Sequence, residues 1–207
     1  MSSLLLSTTI MEAQTATLPA TGTYYLEGVM ETASGFKLNA DNSFEFFFFY
    51  GALDRSGEGH WKQDGDAIIF NSNKQQEDYT LLQSKTQPAK GITIQISGSN
   101  PQANQLVQAI VKSGAKEEMA KADREGRMHF NMPAADSIVV LFEWCPDKRS
   151  VFAVKNAAHN FFEFSIKPSL LDVVFSNFTL QLTEEGLEGA HPLNTTKSFH
   201  YKRADKN

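Results

Sequence analysis

The side chains best suited to chemistry fall between positions 50 and 60: Tyr50, Asp54, Arg55, Glu58 and His60, with Glu27 and Glu31 upstream. A carboxylate, a guanidinium and an imidazole sharing one loop at a barrel mouth would bind a polar ligand or carry out acid–base chemistry. The same residues also read as plain architecture. Asp54 would then cap its turn, Arg55 and Glu58 would be solvated, and Tyr50 would tether the loop through its hydroxyl. A second set is Phe44, Phe46 and Phe48, inside the run Phe44-Glu45-Phe46-Phe47-Phe48-Phe49-Tyr50. Pointing inward, these three would line an apolar cavity for a small ligand. Equally, a small barrel fills its interior with such side chains and holds nothing.

Catalytic signatures are missing from the sequence. It has no G-x-S-x-G elbow, no P-loop, no G-x-G-x-x-G between a strand and a helix, and no H-E-x-x-H. His60, His129, His159, His191 and His200 do not pair with one another or with Cys145 at metal-ligand spacing. No catalytic residue, metal site or cofactor is therefore assigned. Cys145 lies between Trp144 and Pro146 at the end of an apolar strand and reads as a buried thiol, and a single cysteine permits no intrachain disulfide.

These side chains need a scaffold, and the composition says which kind. The chain has 207 residues, of which 41% are hydrophobic and 21% charged, enough to bury a sizeable core. The formal net charge of −5 and the lack of a basic stripe argue against a nucleic-acid partner. Lys197, Lys202, Arg203 and Lys206 read as a solvated tail. No apolar run reaches the ~18 residues of a membrane-spanning helix. Residues 1–20 read as an N-terminal extension or signal remnant: Leu4 to Leu6 are apolar, but the positive start is missing. Export to the periplasm or medium is slightly favoured.

Sixteen phenylalanines favour strands. Turn formers follow about every ten residues, the spacing of a meander. Asn39 to Ser43 and Gln63-Asp64-Gly65-Asp66 predict turns, and Gly51 to Gly59 reads as a longer loop. Ile92 to Ile96 alternates cleanly. Lys116 to Arg124 is either a single helical turn or a polar edge strand, and Pro146 to Arg149 reads as a turn before a Ser150 to Val154 strand. The aromatic style returns at Phe161-Phe162-Glu163-Phe164.

Three stretches carry family resemblance. Leu38-Asn39-Ala40-Asp41-Asn42-Ser43-Phe44, followed by Gly59-His60-Trp61-Lys62-Gln63-Asp64-Gly65-Asp66-Ala67-Ile68-Ile69-Phe70, resembles the "L-x-x-D-G-x-F … G-x-W-x-x-x-G-D-x-I-x-F" run of small bacterial lipocalin-like domains. Asn42 replaces the usual glycine. Lys121 to Phe130 is similar to the "T-D-x-x-G-x-F" signature of transthyretin-like and carboxypeptidase-regulatory-like modules, with Ala122 in place of threonine. That resemblance implies that Asp123 and Gly126 shape a turn. Gly22 to Phe36 with Tyr50-Gly51-Ala52-Leu53-Asp54 resembles an uncharacterised group of bacterial proteins, from which no activity follows. A bacterial origin would make the sequons at Asn177 and Asn194 coincidences.

The expected fold is therefore all-β: a discontinuous lipocalin-like antiparallel barrel with an inserted transthyretin-like β-sandwich. Residues 21–87 plus 157–203 would form the barrel, 88–156 the insert and 204–207 a tail. The expected function is a non-enzymatic binding module for a small apolar or polar ligand, or for a protein. Two alternatives stand beside it: a hydrolase or isomerase with its site in the Tyr50–His60 loop, and a structural envelope adaptor. The sequence leaves the oligomeric state open.

Overall fold

A computed structural model describes residues 19–73, 77–98 and 100–204. The proposed signal remnant lies outside the described residues, except for Pro19 and Ala20, and so does most of the tail.

Eight strands close an antiparallel barrel: β1 (Gly22–Leu26), β2 (Thr32–Leu38), β3 (Ser43–Tyr50), β4 (Leu53–Asp64) and β5 (Ala67–Ser72) from the first part of the chain, then β14 (Phe178–Leu182), β15 (Gly186–His191) and β16 (Asn194–Arg203) from the last. The order round the barrel is β1-β16-β15-β14-β5-β4-β3-β2. Turn chemistry sets the register, as the sequence suggests. Asn42 sits at φ 65° and Gly65 at φ 60°, the left-handed values those hairpins require. The Asp41 carboxylate accepts from the Ser43 backbone N–H at 3.0 Å and from its hydroxyl at 2.6 Å.

The intervening strands form two four-stranded sheets. One holds β6 (Tyr79–Lys85), β7 (Ile92–Ser97), β10 (Arg127–Phe130) and β13 (Phe161–Ile166) in the order β10-β7-β13-β6. The other holds β8 (Val107–Ser113), β9 (Lys116–Lys121), β11 (Ser137–Phe142) and β12 (Cys145–Ala153) in the order β12-β11-β8-β9. Their facing side chains make a second core, around Ile94, Val111, Phe130, Val140 and Phe164. Asp123 accepts from the Glu125 and Arg127 backbones, and Gly126 turns at φ 78° against the Ile96 carbonyl. Lys116 to Lys121 is an edge strand rather than a helical turn. No helix among the described residues is long and apolar enough to cross a membrane.

Three local expectations are corrected. First, β6, read as a barrel strand of the first meander, and β13, read as one from its aromatic style, pair with each other, and β13 pairs also with β7. The inserted sheets therefore run from 79 to 166, wider than 88–156. Phe162 and Phe164 are buried in the second core, and an aromatic strand does not announce which of two cores it feeds.

Second, Gly51 to Gly59 is no loop: strand β4 begins at Leu53. Its inward positions, paired with Phe48, Phe46 and Phe44, are Arg55, Gly57 and Gly59. The alternation is present but carries no apolar signal. Glycine is needed at 57, where a Cβ would lie 2.6 Å from the Phe175 ring and 2.7 Å from the Val173 carbonyl. Here the chain re-enters the barrel. Val173 N–H bonds the Ser56 carbonyl at 2.6 Å, and Ser72 N–H bonds the Phe175 carbonyl at 2.9 Å.

Third, Pro146 to Arg149 is not a turn. The chain reverses at Glu143 and Trp144, and Phe142 pairs with Cys145 while Leu141 pairs with Arg149. The register shift leaves Pro146, Asp147 and Lys148 as a bulge in β12. Bulges re-aim side chains, and this one serves the junction with the barrel.

Candidate functional site

The phenylalanine set is a packed core. Phe44 and Phe46 are buried, with their rings 5.0 and 5.4 Å from Phe175, and Phe44 is 5.1 Å from Phe70. Phe48 is half-buried against His191 at 5.5 Å. Phe175 on the re-entrant segment packs into the space that Phe44 and Phe46 face.

The polar set disperses. Along β4, Arg55 points inward, whereas Asp54, Glu58 and His60 are exposed on the outer wall. Tyr50 is exposed at the strand end, and so are Glu27 and Glu31 near the first hairpin. Asp54, Arg55 and His60 form no acid–base constellation, since strand alternation alone separates them.

Arg55 instead bolts the barrel to the inserted sheets. Its guanidinium donates to both Asp147 oxygens, at 2.6 and 2.8 Å, and to the Leu171 and Asp172 carbonyls at 3.3 Å each. Burial opposes ionisation of Asp147, but the Arg55 hydrogen bonds and charge outweigh it and hold the carboxyl below its usual range. Behind this pair, buried Lys148 donates to Asp78 at 3.0 Å and to the Ser169 carbonyl at 3.2 Å. Cys145 is buried nearby, and burial pushes its thiol up, away from nucleophilic character. Sequence reasoning read Arg55 either as a ligand-binding residue or as solvated, and overlooked Asp78, Asp147 and Lys148. An Asp-Lys dipeptide after proline is ordinary turn chemistry until the bulge is known.

A second buried polar pair sits inside the barrel. The His191 ring lies 3.1 Å from Ser34 Oγ through Nε2, and its Nδ1 accepts from the Leu193 backbone N–H at 3.1 Å. The proton therefore belongs on Nε2, which donates to Ser34, and Ser34 donates onward to the Phe47 carbonyl at 2.9 Å. A histidine that donates to the serine cannot deprotonate it, so the pair is not set up for nucleophilic catalysis.

Burial depresses the His191 pKa to about 4, from an ordinary 6.5. The unfolded chain then holds a proton that the folded one lacks between those values, so stability rises with pH across the window and is lost on acidification. The full effect is about 3 kcal/mol at 1.36 kcal/mol per unit. Urea unfolding at pH 7 and at about pH 4.5 is expected to show a smaller drop for His191→Phe than for the native protein. Parallel pH profiles would refute the assignment.

The concavity worth attention lies outside the barrel, a cleft of about 640 Å³ where its wall meets the inserted sheets. Register explains its lining. Thr23, Lys37, Glu45 and Glu58 are cross-strand neighbours in one outward row, and Tyr25, Gly35, Phe47 and Ser56 form the next, continued by Asp172 through its bridge to Ser56. Phe47 leans over Gly35, where a Cβ would lie 2.8 Å from its ring, and reaches Tyr25 at 5.8 Å. Lys148, Ser169 and Val174 close the far side. Among the described residues, no group of three or more His, Cys, Asp or Glu side chains is placed to hold a metal ion. Comparison of the chain with protein-family models, curated proteins and solved structures gives no match.

Proposed function

We propose that the protein is a non-enzymatic binding module whose site is the cleft between the barrel's outer wall and the inserted sheets. One observation carries this reading: the interior is filled by Phe175, while the junction leaves an open volume floored by Tyr25 and Phe47 and walled by charged side chains. Recognition sites typically combine an apolar floor with a few fixed polar groups. The Arg55–Asp147 pair ties the two walls together and the Lys148–Asp78 pair braces the inserted side behind it, so the cleft is pre-formed and little binding energy is lost to ordering. The lipocalin-like motif supports a binding role, with the site moved from the lumen to the outer face.

A thermal-shift screen of small polar and apolar compounds tests this, with Ser56→Trp as the control that fills the cleft. Ser56 is exposed and faces outward, so the variant keeps the barrel core. A ligand at a hundred times its Kd adds about 2.7 kcal/mol of stability, which raises Tm by about 5–11 °C in a chain of this size. The expected hits lose their effect in Ser56→Trp, and dodecanoate, a probe for an open lumen, gives no shift. A screen without hits, or hits that survive Ser56→Trp, would contradict the proposal.

A further inference from the structure

We propose that the junction cleft takes a ligand carrying an ammonium or guanidinium group on an apolar stem, with the cation between Glu58 and Asp172 and the stem on Phe47 and Tyr25. This rests on the cleft being the binding site, and it names the chemistry of the ligand.

The charges of the lining lead there. Two cations reach the cleft and both are engaged, Lys37 with Glu45 at 2.7 Å and Lys148 with Asp78 at 3.0 Å. Glu58 and Asp172 also line it, and among the described residues neither side chain has a hydrogen bond or an ion pair. Glu58 stands directly opposite Glu45 across the β3–β4 ladder, a placement of like charges that costs stability. Asp172 feels the same strain: burial raises its carboxyl, Lys148 opposes the rise and Glu58 adds to it. An arriving cation would relieve this repulsion. The floor suits the same ligand, since aromatic rings attract cations through their faces and bury the methylenes of an alkyl stem. An anion would find no unengaged cation in the lining, and a neutral ligand would leave the Glu58–Glu45 and Glu58–Asp172 repulsions in place.

A free diamine and a lysine side chain of a peptide share this chemistry. Cadaverine and a trilysine peptide separate them, with maltotriose as the neutral probe. Each is titrated into the native protein, Ser56→Trp and the double variant Glu58→Gln/Asp172→Asn, with binding followed by backbone amide NMR. One or both amines are expected to shift the β3 and β4 amides saturably in the native protein. Affinity falls about tenfold in the double variant, weakens with added salt, and is lost in Ser56→Trp. The double variant is expected to melt no lower than the native protein because it removes repulsion, so lost binding would not reflect lost folding. Amine binding that is unchanged in the double variant overturns the inference. Maltotriose binding in the cleft while both amines fail also overturns it, but leaves the binding module standing. Silence from all three probes overturns the inference and counts against the module as well.

Discussion

Phe175→Ala is expected to destabilise the protein by about 3–5 kcal/mol, the range for removing a buried phenylalanine from a site that cannot collapse. The expectation follows from position. Phe175 is 3% exposed and within ring contact of Phe36, Phe44, Phe46, Phe70 and Phe178. Four of those rings stand on β2, β3 and β5, whose ladders are fixed by pairing on both sides, so the walls cannot close over the hole. The same residue anchors the segment by which the chain re-enters the barrel, through its backbone bonds to Ser72. Urea unfolding at neutral pH reads the effect. A loss below about 1 kcal/mol would show that the interior is not packed around this ring. The variant should also acquire what the native barrel lacks, an apolar chamber able to bind a small hydrophobic compound such as benzene.

The second large effect is expected at Arg55. Arg55→Ala leaves the Leu171 and Asp172 carbonyls and the Asp147 carboxylate without their donor. Removing one member of a buried pair costs 3–5 kcal/mol in general. About 3 kcal/mol is expected here, because the Asp147 side chain remains 42% exposed and recovers some hydration. Arg55→Lys should recover little, since an ammonium cannot reproduce the bidentate geometry. The informative readout is cooperativity. The pair joins β4 of the barrel to the β12 bulge, so its loss should let the barrel and the inserted sheets unfold in separate calorimetric transitions. A single transition with an unchanged midpoint would refute the role given to Arg55.

Both effects lie where the sequence was hardest to read. Hairpins such as Asp64-Gly65 and the Asn42 turn are legible because one residue type satisfies a local backbone requirement. The all-β class follows from aromatic content and turn spacing for the same local reason. The first half of strand β4 was hidden because its inward side chains answer to distant partners: Arg55 to Asp147, Gly57 to Phe175, and Gly59 to the Asn71 carbonyl, which a Cβ would approach to 2.1 Å. A glycine that makes room for another segment looks like a loop glycine until that segment is placed. The insert boundary was misjudged on similar grounds, since Phe162 and Phe164 have the composition of barrel strands but face Phe152 and the second core. Of the candidate site residues in that stretch, Arg55 carries the junction with the inserted sheets, for a reason its neighbours do not disclose. The cleft was not legible, because it forms from outward-facing side chains on four strands and from a linker more than a hundred positions away from the strand it pairs with.

The central claim is that the barrel is filled and that ligands meet its outer wall. Carbon-13 NMR of phenylalanine-labelled protein tests it most directly, because Phe47 reports on the cleft while Phe36, Phe44, Phe46 and Phe175 report on the interior. Cadaverine is expected to shift the Phe47 ring saturably, and dodecanoate is expected to leave all four interior rings unmoved. Saturable shifts of Phe36, Phe44, Phe46 or Phe175 with dodecanoate, while Phe47 stays still with cadaverine, would contradict the claim.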